Sequence, residues 1–342
     1  MRGPIRPLTS GLGACSVAIV RQALWRILAV VSLGLALAIL PVIAAGAGGP
    51  PGGRPSHKPK PTATATVPPT APPSQPPGSV VLVGAGDIAS CSSTGDEATA
   101  ALLRSVAGTV FTAGDDAYES GTASEFSNCY GPTWGTEKGR TRPAPGNHEY
   151  NTSGATGYYG YFGSAAGDPS KGYYAYDLGA WRIYALNSNC AAVGGCQVGS
   201  PQEVWLRADL AANPRQCVAA YWHHPRFSSG EHGSSTTYQP FWQALYDFNA
   251  ELVIVGHDHD YERFAPQTPA GIADNARGIV EIVAGTGGRS HYTFVTIRAN
   301  SLVRNGDTFG VLKLTLSSGS WTSQFIPETG KSFSDSSSGT CH

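Results

Sequence analysis

Five short runs, VVLV (80–83), TVFTA (109–113), CVAAYW (217–222), ELVIV (251–255) and GIVEIVA (278–284), are apolar at successive positions rather than alternate ones. Neighbouring side chains of a strand point to opposite faces, so runs of this kind fit strands covered on both sides. Three helical stretches fall between them: Asp96–Val106, whose acids follow Thr94; Pro201–Ala212, with Pro in the first turn and Ser200 ahead as a possible cap; and Gln239–Asn249. Segments 172–188 and 291–326 read as antiparallel hairpins. The expected fold class is α/β, one domain over residues 80–342 with two sheets packed between helices.

The chain ahead of that domain differs in composition. Residues 1–86 hold seven basic residues and no acid, leaving 16 basic and 24 acidic residues in the rest, a net of −8 inside a chain of net charge −1. That balance excludes a strongly basic nucleic-acid binder. Residues 27–47 form the one long apolar run, which excludes a polytopic membrane protein. Arg21 and Arg26 precede the run and Ala45-Gly46-Ala47 has the small-x-small form of a cleavage site, so residues 1–47 are expected to be an export signal or an N-terminal membrane anchor. Either reading places the remainder outside the cytoplasm, with membrane association only if the segment stays uncleaved. Residues 48–79 are too rich in Pro to pack a core and read as a semi-rigid spacer, in which His57 is inert. Cys15 lies in the leader. The other six cysteines, Cys91, Cys129, Cys190, Cys196, Cys217 and Cys341, suggest three disulfides in an exported domain. Cys190–Cys196 is the expected short loop, with Cys91–Cys129 and Cys217–Cys341 as the remaining pairs. No Cys-x-x-Cys occurs, so a thiolate zinc site is a poor reading.

Metal-ligand residue types stand where these runs end. VVLVGAG leads to Asp87, TVFTAG to Asp115, APG to Asn147-His148, CVAAYW to His223-His224, and ELVIVG to His257-Asp258-His259. Four of the five are entered through glycine (Gly86, Gly114, Gly146 and Gly256), which permits a sharp turn and close approach of backbone to a ligand. Ligands of open α/β sheets bind beyond the carboxyl ends of the strands. Any one of these pairs alone reads as a turn or a cap; their conjunction points to a metal centre. The donors are carboxylate, amide and imidazole, suiting Fe, Mn, Zn or Mg. Tyr118, three residues after Asp115, adds a phenol that favours a ferric ion.

Gly86-Asp87, Gly114-Asp115-x-x-Tyr118, Gly146-Asn147-His148-Glu149, His223 and Gly256-His257-x-His259 together resemble the calcineurin-like metallophosphoesterases. Tyr118 and GHDHDYER (256–263) place the resemblance in the purple acid phosphatase branch. It implies a four-layer αββα sandwich of two mixed sheets flanked by helices. It implies Fe(III) at Asp87, Asp115, Tyr118 and His259, and a divalent Fe, Zn or Mn at Asp115, Asn147, His223 and His257, with Asp115 bridging. His223 is chosen over His224 because it lies two residues before Pro225. His148 and His232 are the implied catalytic residues, facing the phosphate and the leaving group, and Glu149 is placed to fix the tautomer of His148. Two departures stand out: Ala89 occupies a position that is usually glycine, and the plant-type N-terminal β domain is replaced by the Pro-rich spacer.

The implied activity is hydrolysis of a small phosphate monoester by a secreted, monomeric, metal-dependent enzyme, with no nucleic-acid partner. Phosphodiester or nucleotide pyrophosphate hydrolysis is the alternative, and a metal- or phosphate-binding protein without turnover the further one. GAGDIA (84–89) also fits a dinucleotide fingerprint, but five residues, Cys91–Gly95, separate it from the next helix. No G-x-S-x-G nucleophile motif occurs. An aromatic-rich stretch, Tyr158 to Tyr176, fits either a pocket for an organic leaving group or the packing of hairpins.

Overall fold

The computed structural model of the chain describes Pro76 and residues 78–342. The expected leader (1–47) and nearly all of the spacer (48–79) lie outside the described residues. No helix among the described residues is long and apolar enough to cross a membrane.

Two mixed sheets carry the fold. The first contains β1 (Val80–Ala85), β2 (Thr109–Ala113), β3 (Thr141–Ala144) and three later strands. The second begins with the hairpin β4 (Tyr174–Leu178) and β5 (Trp181–Ala185), then adds β6 (Cys217–Tyr221), β7 (Leu252–Val255), β8 (Tyr261–Phe264), β9 (Val280–Ala284) and β10 (Ser301–Asn305). The chain then returns to the first sheet through β11 (Gly310–Ser317), β12 (Ser320–Pro327) and β13 (Ser336–Thr340). Strand order is β13-β12-β11-β1-β2-β3 in the first sheet and β10-β8-β9-β7-β6-β5-β4 in the second. Strands β1-β2-β3, at one end of the first sheet, and β5-β6-β7-β9, in the middle of the second, pair in parallel, and the remaining pairings are antiparallel.

The unbroken apolar runs follow from this layering. Leu82 of β1 and Ile254 of β7 point into the core between the sheets, with Phe111, Trp181, Tyr221, Leu312 and Phe325. Their neighbours point outward: Val81 and Val83 pack under helix α1 (Gly95–Ser105), and Val253 and Val255 pack under α3 (Pro201–Ala212) and α4 (Gln239–Asp247). Each central strand is therefore covered on both faces, and the four layers are those of an αββα sandwich. Most of the aromatic stretch is core. Tyr158 and Phe162 of α2 (Thr156–Phe162) pack with Phe126 and Tyr130 against the first sheet.

Three disulfides form with the expected pairing, Cys91–Cys129, Cys190–Cys196 and Cys217–Cys341. The last joins the start of β6 to the end of the chain. Ser200 does occupy the position before α3, but its hydroxyl makes no capping bond. Glu203 instead reaches back to accept from the Gly199 amide at 2.9 Å.

Candidate metal centre

All the residues singled out at strand ends sit at the carboxyl ends of β1, β2, β3, β6 and β7, and the two sheets bring them to one place. The first sheet contributes oxygen donors and the second contributes imidazoles. Tyr118 Oη lies 2.8 Å from Asp87 Oδ1, 3.0 Å from Asp115 Oδ2 and 3.2 Å from His259 Nε2. His223 Nε2 lies 3.0 Å from Asn147 Oδ1, 3.2 Å from Asp115 Oδ2 and 3.1 Å from His257 Nδ1. Asp115 thus belongs to both groups.

Backbone geometry is strained where donors are presented. Asp87 (φ 60°), Asp115 (φ 53°) and His257 (φ 73°) are all left-handed, a conformation that costs a non-glycine residue roughly 1–3 kcal/mol. Three such residues in one centre place the strain at the candidate site. A side chain at Gly146 would run into the Asp115 carboxylate, and one at Gly256 into the Asp87 carboxylate. Glycine there lets the neighbouring turns close on the acids.

The donor atoms fit cations better than they fit one another. His223 Nδ1 donates to the Ala113 carbonyl at 2.9 Å, which turns Nε2 toward two oxygens. Tyr118 has one O–H for three acceptors. Burial works against a charge on His223, but the Asp115 carboxylate outweighs it and raises the imidazole to about 10. Burial likewise pushes Asp115 up, yet the His223 charge holds it well below the usual carboxylate range. Burial, then the His223 charge, drives His224 down to about 3 and His257 far below the imidazole range. Burial and the Asp115 and Asp87 carboxylates push the Tyr118 phenol far up. A second proton, on His223 Nε2, satisfies only part of this crowd of acceptors, whereas cations would satisfy every donor at once. Ligand atoms of Asp87, Asp115 and His223 lie within 4.8 Å of one another, as do those of His223, His224 and His257.

The two implied catalytic histidines border the centre without joining the donor groups. His148 Nε2 is 3.8 Å from Asp115 Oδ2, and its ring packs on Tyr118. The exposed His232 ring stacks on His257 at 4.1 Å. Glu149 does not orient His148, whose Nδ1 donates to the Glu119 carbonyl at 2.7 Å. Glu149 is buried and accepts instead from the amides of Asp115, Asp116, Ala117 and Gly146, tying together the turns after β2 and β3.

Sequence reasoning gave no role to several neighbours. Asp258, between the two histidines of GHDH, is buried and accepts from the His232 and Gly233 amides and from Ser228 Oγ. Glu262 accepts from the Ser229 amide, and Glu281 from those of Arg226 and Phe227. Three carboxylates therefore pin the loop carrying His232. The loop after β9 brings Ser290 to His259 Nδ1 at 2.7 Å, Tyr292 flat against the His259 ring at 4.0 Å, and the Arg289 guanidinium over Tyr118 at 5.1 Å. Gly285 and Gly287 after the apolar run were the available signal, the same grammar as at the other strand ends.

The calcineurin-like phosphoesterase family model matches residues 71–261, more than half of the chain. The chain belongs to the calcineurin-like phosphoesterase family. Enzymes of this family hydrolyse phosphoesters, and its fold holds two metal ions. Uncharacterized proteins from two strains of Mycobacterium tuberculosis are 29% identical over 189 aligned positions, covering 44% of this chain and 36% of theirs. The chain thus spans about a third of the length of those curated relatives. Among solved structures, a purple acid phosphatase from yellow lupin (Lupinus luteus) seeds superposes with a TM-score of 0.62 at 18% identity, over 76% of this chain and 53% of that one. GAP50, the anchor in the inner membrane complex of Plasmodium, gives 0.57 at 16% identity over 75% and 88%. PhoD gives 0.52 at 12% over 76% and 69%. At these identities the likeness is one of fold.

Proposed function

We propose that this chain is a secreted binuclear metallophosphatase that hydrolyses phosphate monoesters. The observation that carries the reading is the shared position of Asp115, within 3.0 Å of Tyr118 Oη and 3.2 Å of His223 Nε2. Asp87, Asp115, Tyr118 and His259 would hold one ion, Fe(III), and Asp115, Asn147, His223 and His257 would hold a divalent Fe, Zn or Mn. When bound, the pair supplies an acidified water and the positive charge that neutralises the phosphoryl oxygens.

The chain's own residues do the rest. His148, fixed by Glu119 through Nδ1, turns Nε2 toward the reacting face beside Asp115. His232 stands over His257 on a pinned loop, positioned to hand a proton to the departing alkoxide. Ser290 and Tyr292 orient His259 from behind. The three disulfides agree with an oxidising compartment.

The deciding experiment is metal analysis with a visible spectrum on purified full-length protein, followed by assays with chromogenic phosphate mono- and diesters. Two ions per chain, a pink to purple colour lost in Tyr118→Phe, and preference for the monoester are expected. A colourless, fully active protein holding only Zn or Mn overturns the iron assignment. No hydrolysis with both ions bound overturns the phosphatase reading and leaves a binding protein.

A further inference from the structure

A cleft of about 440 Å³ opens beside the metal centre and shares Asn147 with it. That volume lies within the roughly 300–1,000 Å³ of small-molecule sites. We propose that it is the leaving-group subsite, and that it selects phosphate esters of uncharged alcohols that carry a flat aromatic group, such as nucleosides and phenols. The proposal rests on the phosphatase reading and narrows its substrate class.

His224 forms the partition. Its ring lies 4.4 Å from that of His257 and stacks on Tyr238 at 5.5 Å and 20°. Tyr150 adds a second phenol ring to the lining, its hydroxyl held by Asn187 Nδ2 at 2.7 Å. Flat apolar faces of this kind stack aromatic groups. Around them the lining offers the side-chain carbonyls of Asn151 and Asn189 and the Thr237 hydroxyl, while Ser188 Oγ is held by His224 Nδ1 at 2.7 Å. The rim is preorganised: Asn189 Nδ2 is fastened to the Pro145 and Gly146 carbonyls, and the Cys190–Cys196 bridge closes the adjoining loop.

Charge decides the class. Among the described residues lining this cleft there is no Lys, Arg, Asp or Glu. A second phosphate entering it loses water and gains no counter-charge. Two clefts that do offer cations, one with Lys138 and Arg142 beside Tyr174 and Tyr176 and one with Arg263, include none of the donor residues. A monoester whose leaving group is flat and neutral suits the site; a diphosphate does not.

The test uses the metal-loaded full chain with adenosine 5′-monophosphate, phenyl phosphate and inorganic diphosphate. The two organic esters should exceed diphosphate in kcat/KM by about tenfold or more. Tyr238→Ala should raise KM for the organic esters about tenfold and leave that for diphosphate unchanged. At the exposed rim, Thr237→Lys should narrow the preference and Ala192→Asp should widen it, with little risk to the fold. Independently of turnover, calorimetry should detect adenosine binding to the native chain and its loss in Tyr238→Ala. Diphosphate preferred over the organic esters, equal effects of the rim variants on all three substrates, or no adenosine binding overturns the subsite. A loaded enzyme that hydrolyses no ester overturns the phosphatase reading instead, and the adenosine titration still judges the cleft.

Discussion

The two sheets contribute unlike halves to one centre. From the first come Asp87, Asp115, Tyr118 and Asn147, all oxygen donors on turns that enter through glycine; from the second come His223, His257 and His259, all imidazoles. Each half is fastened by buried carboxylates that accept backbone amides, but they fasten different things. Glu149 ties the donor-bearing turns of the oxygen half to one another. Asp258, Glu262 and Glu281 tie down a loop whose histidine lies outside the donor groups. In the oxygen half the anchor thus joins candidate donors to one another, and in the imidazole half much of the anchoring falls on the His232 loop.

Asp115 is where this division meets, and its loss should have the largest effect. Asp115→Asn is expected to lose both ions and to fall to background hydrolysis, measured by metal content and initial rates. A variant that keeps two ions per chain breaks the bridging assignment. Next, His232→Ala should lower kcat by about 10²–10⁴-fold with metal content intact, and the loss should shrink for acidic phenol leaving groups. Equal slowing of good and poor leaving groups makes His232 a phosphate contact rather than an acid.

The anchors sharpen the contrast further. Asp258→Asn should lower kcat about 10–100-fold with both ions retained and with the leaving-group dependence of His232→Ala. Glu149→Gln should instead weaken metal retention by about 10–100-fold. If both variants lose metal alike, the two halves are anchored for the same purpose. The smallest effect on the centre is expected at the opposite end of the second sheet, where Glu251 accepts from the Val218 and His342 amides and bears on stability alone. Burial outweighs those donors and lifts its carboxyl from 4.5 to about 8. Between these values the folded chain keeps a proton that the unfolded chain releases, so stability falls as pH rises from 4.5 to 8, by at most about 1.4 kcal/mol per unit. Denaturation midpoints of native protein and Glu251→Gln should therefore converge or cross between pH 5 and 8; parallel profiles count against a raised carboxyl.

That the candidate donors would gather in one place was legible in the sequence because chemistry and position coincide there: a run buried on both faces, in most cases a glycine, then a carboxylate, amide or imidazole. Strand Thr109–Ala113 and helix Pro201–Ala212 were readable for the same reason, with apolar pattern and flanking residues agreeing. The strand Ser336–Thr340 was not, since SSSGT has no apolar pattern and pairs at a sheet edge through backbone bonds alone. Tyr261–Phe264 was hidden inside a motif read for its chemistry. Segment 291–326 yielded the hairpin Gly310–Pro327, but Ser301–Asn305 crosses to the other sheet, a choice made by tertiary pairing. The anchors were invisible because nothing in spacing tells how far Glu149 reaches; the local expectation, His148, lost to four converging amides.

The Cys217–Cys341 bridge has a topological consequence. It closes the chain between these cysteines, 124 positions apart, into a covalent ring that contains all three imidazole donors and His232. A single protease cut in the exposed residues 295–299 leaves that ring open but in one piece, so the pieces on either side of the cut remain neighbours for as long as the disulfide stays oxidised. Reduction turns the same nick into a severed chain, with His223, His257 and His259 on one fragment and the three strands that complete the first sheet on the other.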